Sequence, residues 1–353
     1  MRRKYKLSEE IRAEPSFAAI ILAHNEERVS GKTIRFLEAA LSSSDAILVV
    51  ADNCSDDTAQ VSEQAGAQVF VRSSGDASGK GAALGWLVDK HLDDLRNYSM
   101  AIILDADSLV NPNFTEVIKR TIEKGDVAYQ SFVYPLFKKG SSIGILGGLS
   151  ELIDQRVNDK IRTKLAWPVR LRGTGMVIPM NLFIVYCRDL RTNVEDIALT
   201  LLLSSKGISI ARIDEAIVHD PKPLSLDAAA KQRARWFNGQ WKAVWMYRVQ
   251  VLRILRKGPS GWSLLGSLFL RPKVFVLLGS AALAVFLSPW YWVSMFFWVY
   301  FLMGSAFIAI SLLIIPERTL LFPALLYTPA YLWMWVKSLM LSLYSSSWYR
   351  ARK

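Results

Sequence analysis

Acidic residues almost vanish from the end of this chain: between Leu264 and Lys353 only Glu317 stands against seven Lys or Arg. From Val274 to Ile315 there is no charged residue of either sign, which excludes an ordinary water-soluble helix with its polar face. Cysteine is nearly missing as well. Cys54 and Cys187 cannot build a disulfide framework, so reduced thiols in a cytosolic compartment are expected. No secretory leader is expected, because Phe17–Ala23, the apolar stretch that follows the basic Met1–Lys6, is too short.

The 353 residues correspond to about two domains, and a 52% hydrophobic content excludes a disordered chain. The net charge of +12 divides evenly about residue 263, with +6 on each side. Ten of the 12 Trp lie from Trp236 onward, as expected where apolar and wet surfaces meet. The uncharged run is long enough for two spans of about 20 residues each, turning at Ser288–Trp290. A third segment, Leu320–Tyr344, contains Pro323, Pro329 and Lys337; it either spans with Lys337 snorkelling or lies in the interface. Arg271, Lys273 and Arg318 flank the hairpin, which predicts that these flanks and the N-terminal part face the cytosol. If the third segment also spans, Arg350, Arg352 and Lys353 end outside, against the same rule. Basic residues beside apolar segments point to an anionic lipid surface rather than nucleic acid.

Short apolar runs at Phe17–Ala23, 46–51, 68–71 and 100–104 read as strands. Helical stretches over 32–41, 58–64, 81–91 and 112–123 alternate with them, which predicts a mostly parallel sheet with helices on both faces. Ligands bind such sheets at the carboxyl ends of the strands. Here those ends read AHNEE (Ala23–Glu27), DNCSDDT (Asp52–Thr58) and DAD (Asp105–Asp107). Like charges gathered on one edge need a cation or a polar ligand.

At these residues the chain resembles the family 2 glycosyltransferases of the GT-A fold. The likeness is to their membrane-bound branch, which includes cellulose, hyaluronan and poly-N-acetylglucosamine synthases and ceramide glucosyltransferases. It rests on ILAHNEE, VADNCSDDT, GKGAAL, LDADS, GTGM, VED and QRARW in that order, over roughly residues 16–245. The resemblance implies that Ala23, Glu26 and Asp52 hold the uridine of a UDP-sugar, with Lys80 and Asp105 near the nucleotide. It also implies that Asp107, with Asp105, binds Mg²⁺ or Mn²⁺, a role suited to hard oxygen ligands. Asp196 is the implied general base, and the helix dipole at its first-turn position favours the ionised form. Gln232, Arg235 and Trp236, which helical spacing puts on one face, are the implied contacts to diphosphate and acceptor.

The expected activity is an inverting, metal-dependent transfer giving a β-linked product on a growing polysaccharide or a lipid-linked acceptor. A single-transfer glycolipid synthase is the alternative. A non-catalytic nucleotide- or glycan-binding subunit would be expected to lack one of Asp107, Asp196 or Arg235, and all three are present. A sugar-nucleotide pyrophosphorylase would need a glycine-rich loop where AHNEE stands. The GKG segment fails as a phosphate-binding P-loop, since Gly75 and Gly79 enclose three residues and Gly81 replaces Ser or Thr. His219, Cys54 and Cys187 are read as structural. Expected units are a basic tail (1–15), a GT-A catalytic domain (16–230), an interfacial amphipathic region carrying QRARW (231–263) and a membrane region (264–353). Trp241, Trp245 and Arg248 are read as interfacial, and Gly140–Lys164 as an amphipathic helix near the membrane rather than a catalytic element. The oligomeric state is left open. The cell membrane is the expected location, with several spans and a cytoplasmic catalytic domain.

Overall fold

The structure is a computed structural model that describes residues 15–73, 79–122, 125, 127–137, 141–190, 192–270 and 273–344. Most of the expected basic tail, Gly75, Glu123, Gly140, Arg271, Arg350, Arg352 and Lys353 lie outside the described residues.

Among the described residues eight strands form one sheet in the order β3-β2-β1-β4-β7-β6-β8-β5. They are β1 (Phe17–Ala23), β2 (Ala46–Asp52), β3 (Gln68–Arg72), β4 (Met100–Asp105), β5 (Leu109–Val110), β6 (Val127–Leu136), β7 (Met176–Pro179) and β8 (Ser209–Pro221). All seven residues of β1 are buried, and they alternate between two cores. Ala18, Ile20 and Leu22 join Leu48 and Val50 on one face; Phe17, Ala19, Ile21 and Ala23 join Ile47 and Val49 on the other. A strand covered on both sides has no place for a polar residue, which is why these runs are uninterrupted in the sequence. Helix Lys80–Lys90 covers the first face through Leu84, Leu87 and Val88, and helix Phe114–Thr121 covers the second through Phe114 and Ile118.

The sheet is mostly parallel, as expected, but not wholly so. β3, β2, β1 and β4 are parallel neighbours and β6 pairs in parallel with β8, whereas β7 runs antiparallel to both β4 and β6, and β5 antiparallel to β8. The apolar run Met176–Pro179 is compatible with either direction, so its pattern carries no sign of the reversal.

Beyond the sheet, helix Leu226–Met246 leads to the C-terminal helices, and the boundary expected at residue 231 falls inside it. Helices Lys273–Phe286 and Tyr291–Ile314 form the expected hairpin, joined where Ser288–Trp290 stands, with Ser294 Oγ donating to the Ala284 carbonyl at 2.7 Å. Its first arm has 14 residues, about 21 Å at 1.5 Å each, short of a 30 Å hydrocarbon core. Among the described residues one helix, Tyr291–Ile314, is by length and composition able to cross a membrane; Pro259–Phe269 with Lys273–Phe286 qualifies only as a pair bent by 104°.

The third apolar segment is broken into Pro316–Leu320, Leu321–Leu325 and Thr328–Tyr344. Thr328–Tyr344 docks along Leu226–Met246, where Met334 is buried with Ala229, Ala230 and Ile143. Lys337 does not simply snorkel: it pairs with Asp227 at 2.7 Å. Both feet of the hairpin are also tied to the π-helical turn Asp154–Asp159, Lys273 to Asp154 at 3.0 Å and Glu317 to Arg156 at 3.0 Å. Phe114 is among the largest fully buried side chains, so Phe114→Ala should cost about 3–5 kcal/mol, read as a lowered midpoint of thermal unfolding.

Candidate active site

The carboxyl ends of β2, β1 and β4 lie side by side, so the three acidic loops share one edge. The first two loops brace each other. Asn25 and Asn53 adopt left-handed backbone, and the Ser55 amide donates to Asn25 Oδ1 at 2.7 Å. The Glu26 amide donates to Thr58 Oγ1 at 2.7 Å, and the Glu27 amide to Asp56 at 3.3 Å. Asp52 is buried in an ion pair with Arg72 and accepts from Asn53 Nδ2 at 2.8 Å. Cys54 sits in the same lattice, accepting from the Asn25 amide at 3.4 Å, and burial pushes its thiol pKa up.

The third acidic end opens on a cleft of about 230 Å³. Lys80 pairs with Asp105 and stands 3.8 Å from Glu195, and these two acids raise its pKa against the opposing effect of burial. Two glycines let Lys80 sit there. A Cβ on Gly79, whose φ is +104°, would collide with Asn193 Oδ1 at 1.8 Å, and one on Gly81 would stand 2.6 Å from the Thr192 carbonyl. Close packing against Thr192–Asn193 therefore accounts for GKG without a phosphate loop. The GTGM loop fixes the other side, where the Asp105 amide donates to Thr174 Oγ1 at 3.3 Å and Gln130 Nε2 donates to the Thr174 carbonyl at 2.9 Å.

Glu195 and Asp196 open helix Glu195–Ser205, as the sequence predicts. Burial is the main cause that raises both pKa values, that of Glu195 to about 7 despite Lys80. Arg170 is the strongest influence holding Asp196 ionised. Helix Leu226–Met246 reaches this turn because Gly239 has no side chain; a Cβ there would lie 2.4 Å from Val194 Cγ1. It brings Gln232, Arg235 and Trp236 to the cleft, and burial lowers the Arg235 pKa against the pull of Glu195, Asp105 and Asp196.

The structure thus divides the expected residues. Lys80, Asp105, Asp196, Gln232, Arg235 and Trp236 line one cleft, whereas Ala23, Glu26, Asp52 and Asp107 do not. Among the described residues no three His, Cys, Asp or Glu side chains gather as a metal cluster. Carboxylates are hard oxygen donors that suit a divalent cation, but of the two expected ligands only Asp105 lines the cleft, where Lys80 engages it.

Several cleft residues escape the sequence reading. Arg170 and Arg172 precede GTGM with a spacing of two, the one available signal for a shared strand face. Both reach Asp154, at 3.5 and 3.4 Å, and Arg172 also pairs with Asp159. The helix read as merely amphipathic and membrane-proximal therefore contributes Gly144, Gly147, Glu151 and Asp154 to the cleft; its π-helical turn buries Asp154 and Asp159, which pair with cations outside the turn. Tyr331 and Trp335 come from the docked C-terminal helix.

Acids and cations gathered at a sheet edge over a deep cleft suit transfer from a phosphorylated donor to a hydroxyl. Residues 101–344 match the glycosyl transferase family group 2, and residues 18–165 match glycosyl transferase family 2. The chain belongs to the family 2 glycosyltransferases, and its mixed α/β sheet is GT-A-like. No curated protein sequence matches it. Among solved structures, a mannosyltransferase from Pyrobaculum calidifontis in complex with GDP-Man and Mn²⁺ is 13% identical, covering 87% of this chain and 88% of that one with a TM-score of 0.47. Glucosyl-3-phosphoglycerate synthase from Mycobacterium tuberculosis, in complex with Mn²⁺, UDP and phosphoglyceric acid, is 19% identical over 60% of this chain and 72% of that one, with a TM-score of 0.41.

The Asp154 carboxylate is buried and compensates three cations. Asp154→Ala should destabilise the protein by about 3–5 kcal/mol, because it strands buried guanidinium groups; thermal unfolding in detergent measures the loss.

Proposed function

We propose that this protein is a membrane-bound, inverting glycosyltransferase that moves a sugar from a UDP-sugar to a hydroxyl of a lipid acceptor, giving a β-linkage. The observation that carries the reading is Asp196, half-buried in the cleft that Lys80, Asp105 and Arg235 also line. Asp196 takes the proton of the acceptor hydroxyl as its oxygen attacks the anomeric carbon from the face opposite the diphosphate. The bond from that carbon to the diphosphate oxygen breaks, and its electron pair leaves on UDP. Lys80 and Arg235 offset the charge that develops on the leaving group. Ala23, Glu26 and Asp52 make the uridine end. Asp105 and Asp107 would hold Mg²⁺ or Mn²⁺, which supplies further charge neutralisation at the diphosphate when bound. Gln232 and Trp236 face the acceptor, with Trp236 as a flat apolar plate.

Membrane attachment is supported by helix Tyr291–Ile314, which leaves Trp292, Phe296, Leu302, Met303 and Leu313 exposed on an uncharged surface. Such a surface fits hydrocarbon. Lys273 and Arg318 flank the hairpin and favour a cytosolic catalytic domain at the cell membrane. A growing polysaccharide is the second reading, favoured by QRARW; among the described residues the few helices long enough to span leave little material for a translocation channel.

Asp196→Asn should abolish sugar transfer while leaving UDP binding nearly intact, measured with radiolabelled UDP-sugars on membranes; comparable transfer by the variant would sink the assignment of the base. The pH profile gives a second check. A base must be ionised, and the Asp196 pKa is raised, so activity should fall on the acid side at a higher pH than an ordinary carboxylate allows. Arg170→Gln removes the charge that favours ionised Asp196, so it should move the acid limb of kcat/KM further up. An unmoved limb would leave Arg170 a purely structural residue.

A further inference from the structure

Arg233 is a buried charge in the cleft that the proposed transfer does not use. It is 8% exposed, lines the cleft, and makes no ion pair with a carboxylate among the described residues. Nη1 donates to the Ala229 carbonyl at 3.3 Å, and the guanidinium stands 4.8 Å from the Trp335 ring and 5.7 Å from the Tyr331 ring. Aromatic faces offset only part of a buried positive charge. Other cations of this cleft have acids: Lys222 pairs with Glu151 and with Asp220 at 2.6 Å, and Lys273 with Asp154. Arg233 Nε and Trp335 Nε1 are both buried donors without a hydrogen-bond acceptor among the described residues.

Space is kept beside this charge. Gly147 faces it, and a Cβ there would stand 3.0 Å from Arg233 Nη2. Ile143, Phe237, Tyr331 and Trp335 make the same part of the cleft apolar, and helix Thr328–Tyr344 continues from it with Trp333, Leu339 and Met340 exposed. Two unmet donors, one of them charged, ask for an anionic oxygen, and the apolar wall asks for hydrocarbon.

We propose that Arg233 and Trp335 Nε1 form a subsite for the phosphate of an anionic lipid acceptor, whose hydroxyl is presented to Asp196 and whose hydrocarbon follows helix Thr328–Tyr344. This rests on the reading that the acceptor is a lipid hydroxyl. No bond to the phosphate is made or broken; it anchors the acceptor. Free phosphate offers Arg233 the same chemistry but leaves the apolar wall unused.

The test uses the full chain in neutral detergent micelles, with phosphatidylglycerol, diacylglycerol and inorganic phosphate as probes and UDP binding measured on each sample. Both lipids carry a hydroxyl, but only the first carries phosphate. Phosphatidylglycerol should bind about tenfold or more tighter than diacylglycerol, and Arg233→Gln should erase that preference. Arg233→Lys should restore part of it, since it returns the charge without the planar fork. Equal affinity of the wild type for the two lipids, or a preference that survives Arg233→Gln, would overturn the subsite. Displacement of phosphatidylglycerol by an equal concentration of inorganic phosphate would also overturn it, in favour of a free anion. A wild type that binds UDP but shows no lipid preference refutes the subsite alone, whereas failure to bind UDP refutes the donor reading. A neutral-lipid acceptor would appear as transfer to diacylglycerol that is unaffected at Arg233.

Discussion

Repulsion among carboxylates at one end of a cleft is the constraint around which this structure is arranged. Asp105, Glu195 and Asp196 share that end, and two unit charges 4 Å apart in a protein environment repel by about 4 kcal/mol. Lys80, Arg170 and Arg235 oppose this, each delivered by a different element. Delivery requires backbones to approach closely. Glycine at 79 and 81 lets the Lys80 helix meet Thr192–Asn193, and glycine at 239 lets the Arg235 helix meet Val194. Burial acts beside the charges: it is the main cause that lifts Glu195 to about 7 and raises Asp196, against the pull of Lys80 and Arg170. A perfectly neutralised acid cluster would be more stable and a poorer base.

The strand ends were legible because burial on both faces forces uninterrupted apolar runs, so the first polar residue after each run marks the sheet edge. That reasoning located Asp52, Asp105 and the loops after β1 and β2; Gln232, Arg235 and Trp236 came from the resemblance of QRARW, with helical spacing placing them on one face. It did not separate the residues that line the cleft from those, such as Asp52, whose carboxylate is engaged by Arg72. Asp154, Arg170 and Arg172 were invisible for a different reason. Their pairings join segments that are distant in sequence, Asp154 reaching Lys273 across 119 residues, and a charge on an amphipathic pattern does not declare its partner. Lys337 shows the same limit: its place in an apolar run leaves snorkelling and an interfacial position open and does not declare Asp227, on another helix, as its partner.

The scarcity of acid after residue 263 takes on structural meaning in the fold. Glu317, the one acid there, receives a two-pronged contact from Arg156, at 3.0 and 3.2 Å, and is mostly buried. At the opposite foot of the hairpin Lys273 meets Asp154, two positions earlier on the same π-helical turn. The two feet are therefore distinguished by sign, so the hairpin cannot exchange its ends without setting like charges together. An ion pair of this kind adds little net stability but specifies register. Asp154 is also the residue that engages Arg170, which in turn favours the ionised form of Asp196. A chain of charge contacts thus runs from the apolar hairpin to the acid proposed as base. One foot of the hairpin and the electrostatics of the cleft then share one buried carboxylate, Asp154, so the apolar segment takes part in the construction of the site.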